Sequence, residues 1–189
     1  MLWCTSGLCS RTHSFLYTQP LTSVILKHPV SHMLYADDTQ VYNSFDLDDC
    51  LSSILCVEKC VFDVKAWMMS NKLQMNEDKT DVLLVTAKRI VNLQHLSDFM
   101  NITGTCIKFS PSVRNLGVTL DRTLSLHQHV MHVCRVAYLE LRRINSIRNL
   151  LSVDAVKTLV CLLVLSRLDY CNSLLVGLPQ YLIKRLQGV

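Results

Sequence analysis

Val30-Ser31-His32-Met33-Leu34-Tyr35-Ala36-Asp37-Asp38-Thr39-Gln40-Val41-Tyr42 sets two short flanks, rich in Val, Leu and Tyr, around an acidic centre. Both flanks suit β-strands, and the Tyr35–Asp38 tetrapeptide fits the tip of a tight hairpin. Paired carboxylates on a rigid turn match the hard oxygen ligation that Mg²⁺ prefers. Two such ions can clamp the attacking and leaving oxygens of a phosphoryl transfer. Two aspartates are only half of a two-metal ligand set, so the rest has to come from elsewhere in the fold.

Outward from the hairpin, Asp46 reads as a helix N-cap, with Asp48 and Asp49 in a first turn where carboxylates meet the positive helix end. Leu47, Leu51, Ile54, Leu55, Val61, Phe62 and Met68 then follow a helical period to about Met69, predicting a helix packed on a sheet. Asp81–Thr86 reads as a buried strand. Cys106–Phe109 and Asn115–Leu120 read as two strands of one hairpin joined through Ser110-Pro111-Ser112. From His127 onward the pattern is helical: Val130, Val133, Cys134, Ala137, Leu141 and Ile144 line one helix. Ser152 caps a second that runs to about Leu168, a third short helix starts near Asp169, and Pro179 opens a fourth as its N1 residue.

The 189 residues suffice for one domain or one domain with an appendage, and half of them are apolar, enough to pack a core. Charge is uneven. Residues 1–120 carry 10 Lys/Arg against 11 Asp/Glu, and residues 121–189 carry 9 against 4. A basic rear fits contact with a polyanion or an ordinary solvated surface. The nine cysteines are scattered without a CxxC pair, which fits reduced thiols in an intracellular protein. His127, His129, His132 and Cys134 lack the pair-and-pair spacing of a zinc motif. No run reaches the ~20 apolar residues of a membrane span, and the first residues lack the pattern of a signal peptide. The expectation is an intracellular protein, nuclear or cytoplasmic, neither secreted nor in a membrane.

Several segments together resemble one family. Tyr35-Ala36-Asp37-Asp38-Thr39-Gln40 resembles the metal-binding motif of reverse transcriptases, as worded in non-LTR (LINE-type) retrotransposons. Trp67–Leu73 followed by Asn76-Glu77-Asp78-Lys79-Thr80 resembles the next palm motif. Arg114-Asn115-Leu116-Gly117-Val118 resembles the primer-grip hairpin, and Ser166–Asn172 resembles a thumb segment of the same elements. The four occur in the family's order and span roughly Phe15–Gln187. The resemblance implies an α+β fold: a partial polymerase palm, an antiparallel sheet with a packed helix, over residues 15–122, then an all-helical thumb-like region over 123–189. It implies RNA-directed DNA polymerase chemistry with Mg²⁺, an RNA template and a DNA primer.

Within that resemblance Asp37 would be the principal metal ligand and Asp38 its support, both catalytic. Lys79 matches the position implicated in protonating the leaving pyrophosphate, although a surface lysine after a turn reads the same way. Gly117 would let backbone approach the primer terminus, or simply form a bulge. Arg135, Arg142, Arg143 and Arg148 would contact phosphates of the template–primer duplex, or form a solvated helix face.

The family's palm carries another essential aspartate on an earlier strand, and no Asp or Glu precedes Asp37 here. The fingers are missing as well. Residues 1–14 are atypical of the family. Codons compatible with Trp3–Ser14, shifted by one base, read Gly-Val-Pro-Gln-Gly-Ser-Val-Leu-Gly-Pro-Ile-Leu, which resembles the family motif preceding the catalytic turn. The segment therefore reads as an out-of-frame stretch rejoining the family near Phe15. The expectation is a catalytically incomplete fragment whose palm sheet lacks its first strand, and which either takes a partner chain to cover it or aggregates. The alternative is a non-catalytic module that binds nucleic acid or a partner.

Overall fold

A computed structural model of the chain describes residues 2–7, 20–36, 38–86, 99–102 and 104–189. The elements run β1 (Leu2–Gly7), α1 (Leu21–Ile25), β2 (Ser31–Tyr35), β3 (Asp38–Asn43), α2 (Cys50–Ser70), β4 (Asp81–Leu84), β5 (Phe99–Ile102) and β6 (Thr105–Lys108). They continue with β7 (Ser112–Asn115), β8 (Val118–Asp121), α3 (His127–Ile147), α4 (Val153–Val160), α5 (Ser166–Asp169) and α6 (Gln180–Gln187). The fold is mixed α+β with small antiparallel sheets. It divides into two compact units, Met1–Val113 and Arg114–Val189, so the β7–β8 turn belongs with the helices rather than with the sheet.

In the first unit a four-stranded sheet has the order β2-β3-β1-β4. Every neighbouring pair is antiparallel, with Tyr35 opposite Asp38, Gly7 opposite Asp38, and Thr5 opposite Asp81. The expected gap in the sheet is absent: Leu2–Gly7, from the segment judged foreign, is the inner strand between β3 and β4. Residues 8–19, which would connect β1 to α1, lie outside the described residues, as does the unplaced connection 87–98.

Helix α2 covers the sheet through Ile54, Val57, Cys60, Val61, Val64 and Met68, spaced three and four apart as an amphipathic face requires. That face is rotated from the expected one, because Leu51, Leu55 and Phe62 are exposed. Val41, Val82, Leu84, Met100, Ile102 and Phe109 complete the same core. Nε2 of His28 meets Oδ2 of Asp63 at 2.9 Å, tying the loop after α1 to α2.

The single hairpin expected over 106–120 is two hairpins. Strand β6 pairs with β5, and β7 pairs with β8. The left-handed positions explain this: Gly104 has φ +94° before β6, and Leu116 and Gly117 have φ 44° and 84° between β7 and β8. Pro111 marks only the bend linking the two hairpins.

In the second unit α3 buries Val130, Cys134, Ala137 and Ile144 along one stripe. Ser152 caps α4, its Oγ accepting the Ala155 N–H at 3.3 Å. The helix continues through a π turn, Cys161–Leu165, into α5, matching the expected run to about Leu168. Tyr170 is extended and stops it, so a 3₁₀ turn at Asn172–Leu175 stands in place of the third helix. Pro179 is the cap of α6 rather than its first residue. Among the described residues no helix is long and apolar enough to cross a membrane.

Candidate functional site

The β2–β3 register pairs Tyr35 with Asp38 as the closing residues of a hairpin. Ala36 has φ 53°, a left-handed conformation costing a non-glycine residue about 1–2 kcal/mol. Asp37, the first-choice ligand, lies outside the described residues. Asp38 opens β3 half-buried, with Gly7 of β1 as its second neighbour. The strand beside the carboxylate turn is therefore Leu-Trp-Cys-Thr-Ser-Gly, with no acid in it.

Lys79 ends a short 3₁₀ turn, Glu77–Lys79, and is exposed. The buried Thr80 steadies that turn by donating its hydroxyl to the Asn76 carbonyl at 2.9 Å. Strand β4 begins at Asp81, opposite Thr5. Lys79, two residues before β4, thus lies toward the end of the sheet where Asp38 stands, with β1 between the two strands. Among the described residues no group of three or more His, Cys, Asp or Glu side chains is placed to hold a metal. Mg²⁺ requires octahedral oxygen ligation, and the donors around Asp38 in the described residues do not meet it.

The four arginines singled out on the helical side do not act together. Arg135 and Arg142, one heptad apart, line a groove with Arg185 of α6, whose pattern had not drawn notice. Met131, Tyr138 and Leu139 form its apolar wall, and no acidic side chain lines it. Arg143 instead donates from Nη1 to Oε1 of Glu140 at 2.8 Å. Arg148 follows α3 and borders an apolar hollow with Leu151, Val153 and Val156.

Gly117 is a turn residue. A Cβ there would meet the Tyr170 ring at 3.3 Å, and the Tyr170 hydroxyl donates to the Leu116 carbonyl at 2.6 Å. The space beside this glycine is filled by Tyr170.

Two side chains that order this unit were not identified from the sequence. Asp121 closes the loop between β8 and α3. Its Oδ1 accepts the N–H and hydroxyl of Thr123 at 3.0 and 2.8 Å and the Ser125 N–H at 3.1 Å. Its Oδ2 accepts the Ser125 hydroxyl at 2.9 Å and the Leu126 N–H at 3.0 Å. Burial pushes this carboxyl up, but the hydrogen bonds from Ser125 and Thr123 prevail and hold it below its ordinary range. They also hold Leu124 and Leu126 at φ 49° and 54°. The Asp-x-Thr-x-Ser spacing was the available signal. His129 is 7% exposed, and its Nδ1 accepts the Thr119 N–H at 3.4 Å. Burial, then the neighbouring His132 and Arg114 charges, push this imidazole down. Of the possible zinc cluster, His129 and Cys134 are buried while His127 and His132 are exposed.

No protein-family model, no curated protein and no solved structure matches the chain.

Proposed function

We propose that the chain is a fragment of a LINE-type reverse transcriptase, the second half of a polymerase palm followed by most of a thumb, and that by itself it does not synthesise DNA. One observation carries this reading: Tyr35 and Asp38 pair as the closing residues of the antiparallel β2–β3 hairpin, with Lys79 toward the same end of the sheet. Metals held by carboxylates can clamp a phosphoryl transfer and a lysine can act as general acid, the roles the resemblance implies for this turn and for Lys79. The order of the later motifs, Trp67–Leu73, Arg114–Val118 and Ser166–Asn172, supports the same ancestry.

Inactivity follows from the ligand set. The strand beside Asp38 is Leu2–Gly7, which offers no carboxylate, and among the described residues no group of three acidic ligands for Mg²⁺, the family's cofactor, is placed there. A primer-extension assay on the full chain with an RNA template, a DNA primer and Mg²⁺ is expected to give no product, and Mg²⁺-dependent extension would overturn the reading. The transcript tests the ancestry separately. Its codons over residues 3–14 are expected to give the family motif in the shifted frame, and any other shifted peptide counts against it.

The second reading is a non-catalytic, intracellular module that binds nucleic acid, and the groove of Arg135, Arg142 and Arg185 favours it. Binding to an RNA–DNA duplex is expected to weaken steeply with salt, because each neutralised phosphate releases counterions. Replacing Arg135 and Arg142 with Gln should weaken binding and flatten the salt slope. No binding at low salt removes this reading while leaving the ancestry intact.

A further inference from the structure

Within the unit Arg114–Val189 a cavity of about 310 Å³ lies against the β7–β8 turn. Arg114, His129, His132 and Arg167 supply its titratable lining, and no Asp or Glu lines it. Neither arginine has an acidic partner among the described residues. The two hydroxyls at the wall are committed: Tyr170 donates to the Leu116 carbonyl and Ser166 to the Leu162 carbonyl. His129 is more specific. Its Nδ1 accepts the Thr119 N–H, so the neutral ring carries its proton on Nε2, leaving an N–H as what this buried side chain can offer the cavity it lines.

Two guanidinium forks and an imidazole N–H make a set of donors with no acidic side chain in the lining to answer them. Guanidinium groups match the oxygens of phosphate in paired hydrogen bonds. A carboxylate has only two oxygens to offer, whereas a phosphomonoester presents three terminal oxygens, one for each of these donors. The volume is at the small end for ligand cavities, which favours a compact ligand.

We propose that this cavity binds a phosphoryl oxyanion, the terminal phosphate of a monoester, through Arg114, Arg167 and the Nε2–H of His129. The inference does not rest on the polymerase ancestry, because all its residues belong to the helical unit and no duplex is invoked.

The test is a titration of the full chain with inorganic phosphate at constant ionic strength, following the ring nitrogens of His129 and His132 by NMR. A saturable shift is expected. Arg114→Gln and Arg167→Gln should each weaken it at least about tenfold, the scale of one lost charge-assisted contact. Lys157→Gln, whose ammonium pairs with Asp154 away from this cavity, should leave it unchanged. A shift that does not saturate, that acetate reproduces, or that survives in both arginine variants overturns the proposal. Both arginines are exposed, so the result stands even where a variant of the buried His129 fails to fold. Competition by phenyl phosphate supports a small phosphomonoester. Competition only by a 5′-phosphorylated oligonucleotide, and not by its 5′-hydroxyl form, supports the end of a nucleic-acid chain as the source of the same phosphate.

Discussion

The sheet unit and the helical unit solve the problem of burial differently. In the first, one contiguous core runs from Leu21 through α2 to Phe109 and draws on every layer. In the second, α3 anchors small clusters, Val130 with Cys134 and Leu182, and Ala137 with Ile144 and Val164. Apolar side chains remain outside them, with Leu150 87% and Val176 85% exposed. The sheet unit depends on contacts far apart in sequence, because β1 joins strands that begin at Asp38 and Asp81. The helical unit depends on short-range periodicity and on side chains that fix its loops. Damage to one distant strand should therefore be severe in the first unit. Damage in the second should be graded, side chain by side chain.

Removing β1 is the strongest way to break this comparison. Deleting Met1–Gly7 strips hydrogen-bond partners from both β3 and β4 and leaves two separated edges. Amides of β3 and β4 are expected to lose hydrogen-exchange protection while those of α3 keep theirs. Retained protection in β3 would show that the β2–β3 hairpin is stable without its inner neighbour. Two buried thiols report on the units separately. Burial, with Cys56 and Asp63 nearby, pushes Cys60 in α2 up to about 12, and burial pushes Cys134 in α3 up as well. Alkylation of Cys60 in the deleted chain should become fast while Cys134 stays protected.

Core truncation comes next in size. Met68→Ala removes a fully buried side chain from the large core and should cost about 3–5 kcal/mol. Leu182→Ala opens a site whose neighbours Leu175, Leu178 and Leu186 are only partly buried. These can relax into the space, so the expected cost is about 2–3 kcal/mol. Denaturant unfolding read at Cys60 and Cys134 checks both, and equal costs would erase the contrast.

How far each unit could be read from its sequence follows the same division. The stripe of α3, the Ser152 cap and the buried strand at Asp81 were legible because periodicity and capping are local. The hairpin at Tyr35–Asp38 was legible because its flanks and its acidic tip fall within one short run. Strand β1 was not, since Leu-Trp-Cys-Thr-Ser-Gly carries no alternation and owes its conformation to β3 and β4. The split of 106–120 into two hairpins turned on Gly104 and Gly117, which specify the turns more strongly than Pro111 does. The four arginines shared a helix-sized window, but helical angle separates Arg135 and Arg142 from Arg143, and Arg185 joins them only through tertiary packing. Asp121 was readable only through its Asp-x-Thr-x-Ser spacing, and the role of His129 lies in a partner on β8, Thr119, that periodicity does not reveal.

Smaller effects sharpen the picture of the helical unit. Asp121→Ala removes the acceptor of the β8–α3 loop and should cost about 1–3 kcal/mol, read at Cys134 and not at Cys60. Gly117→Ala places a Cβ at φ +84° against Tyr170 and should cost about 1–2 kcal/mol in the same unit. Acid has a defined sign here. His129 is pushed below its ordinary value in the folded chain, so the unfolded chain binds the proton more readily. Its stabilising contribution is complete above the unfolded value of about 6.5 and declines as pH falls from there toward the lowered folded value. Asp121 is also lowered, and its contribution, present above its ordinary value of 3.8, falls away as pH drops through the folded value. Acid should therefore weaken the helical unit in two stages, and His129→Gln should remove the first while sparing the second. A single-stage loss in the parent chain, read at Cys134, would mean that burial, with the His132 and Arg114 charges, is too weak to hold the His129 imidazole neutral.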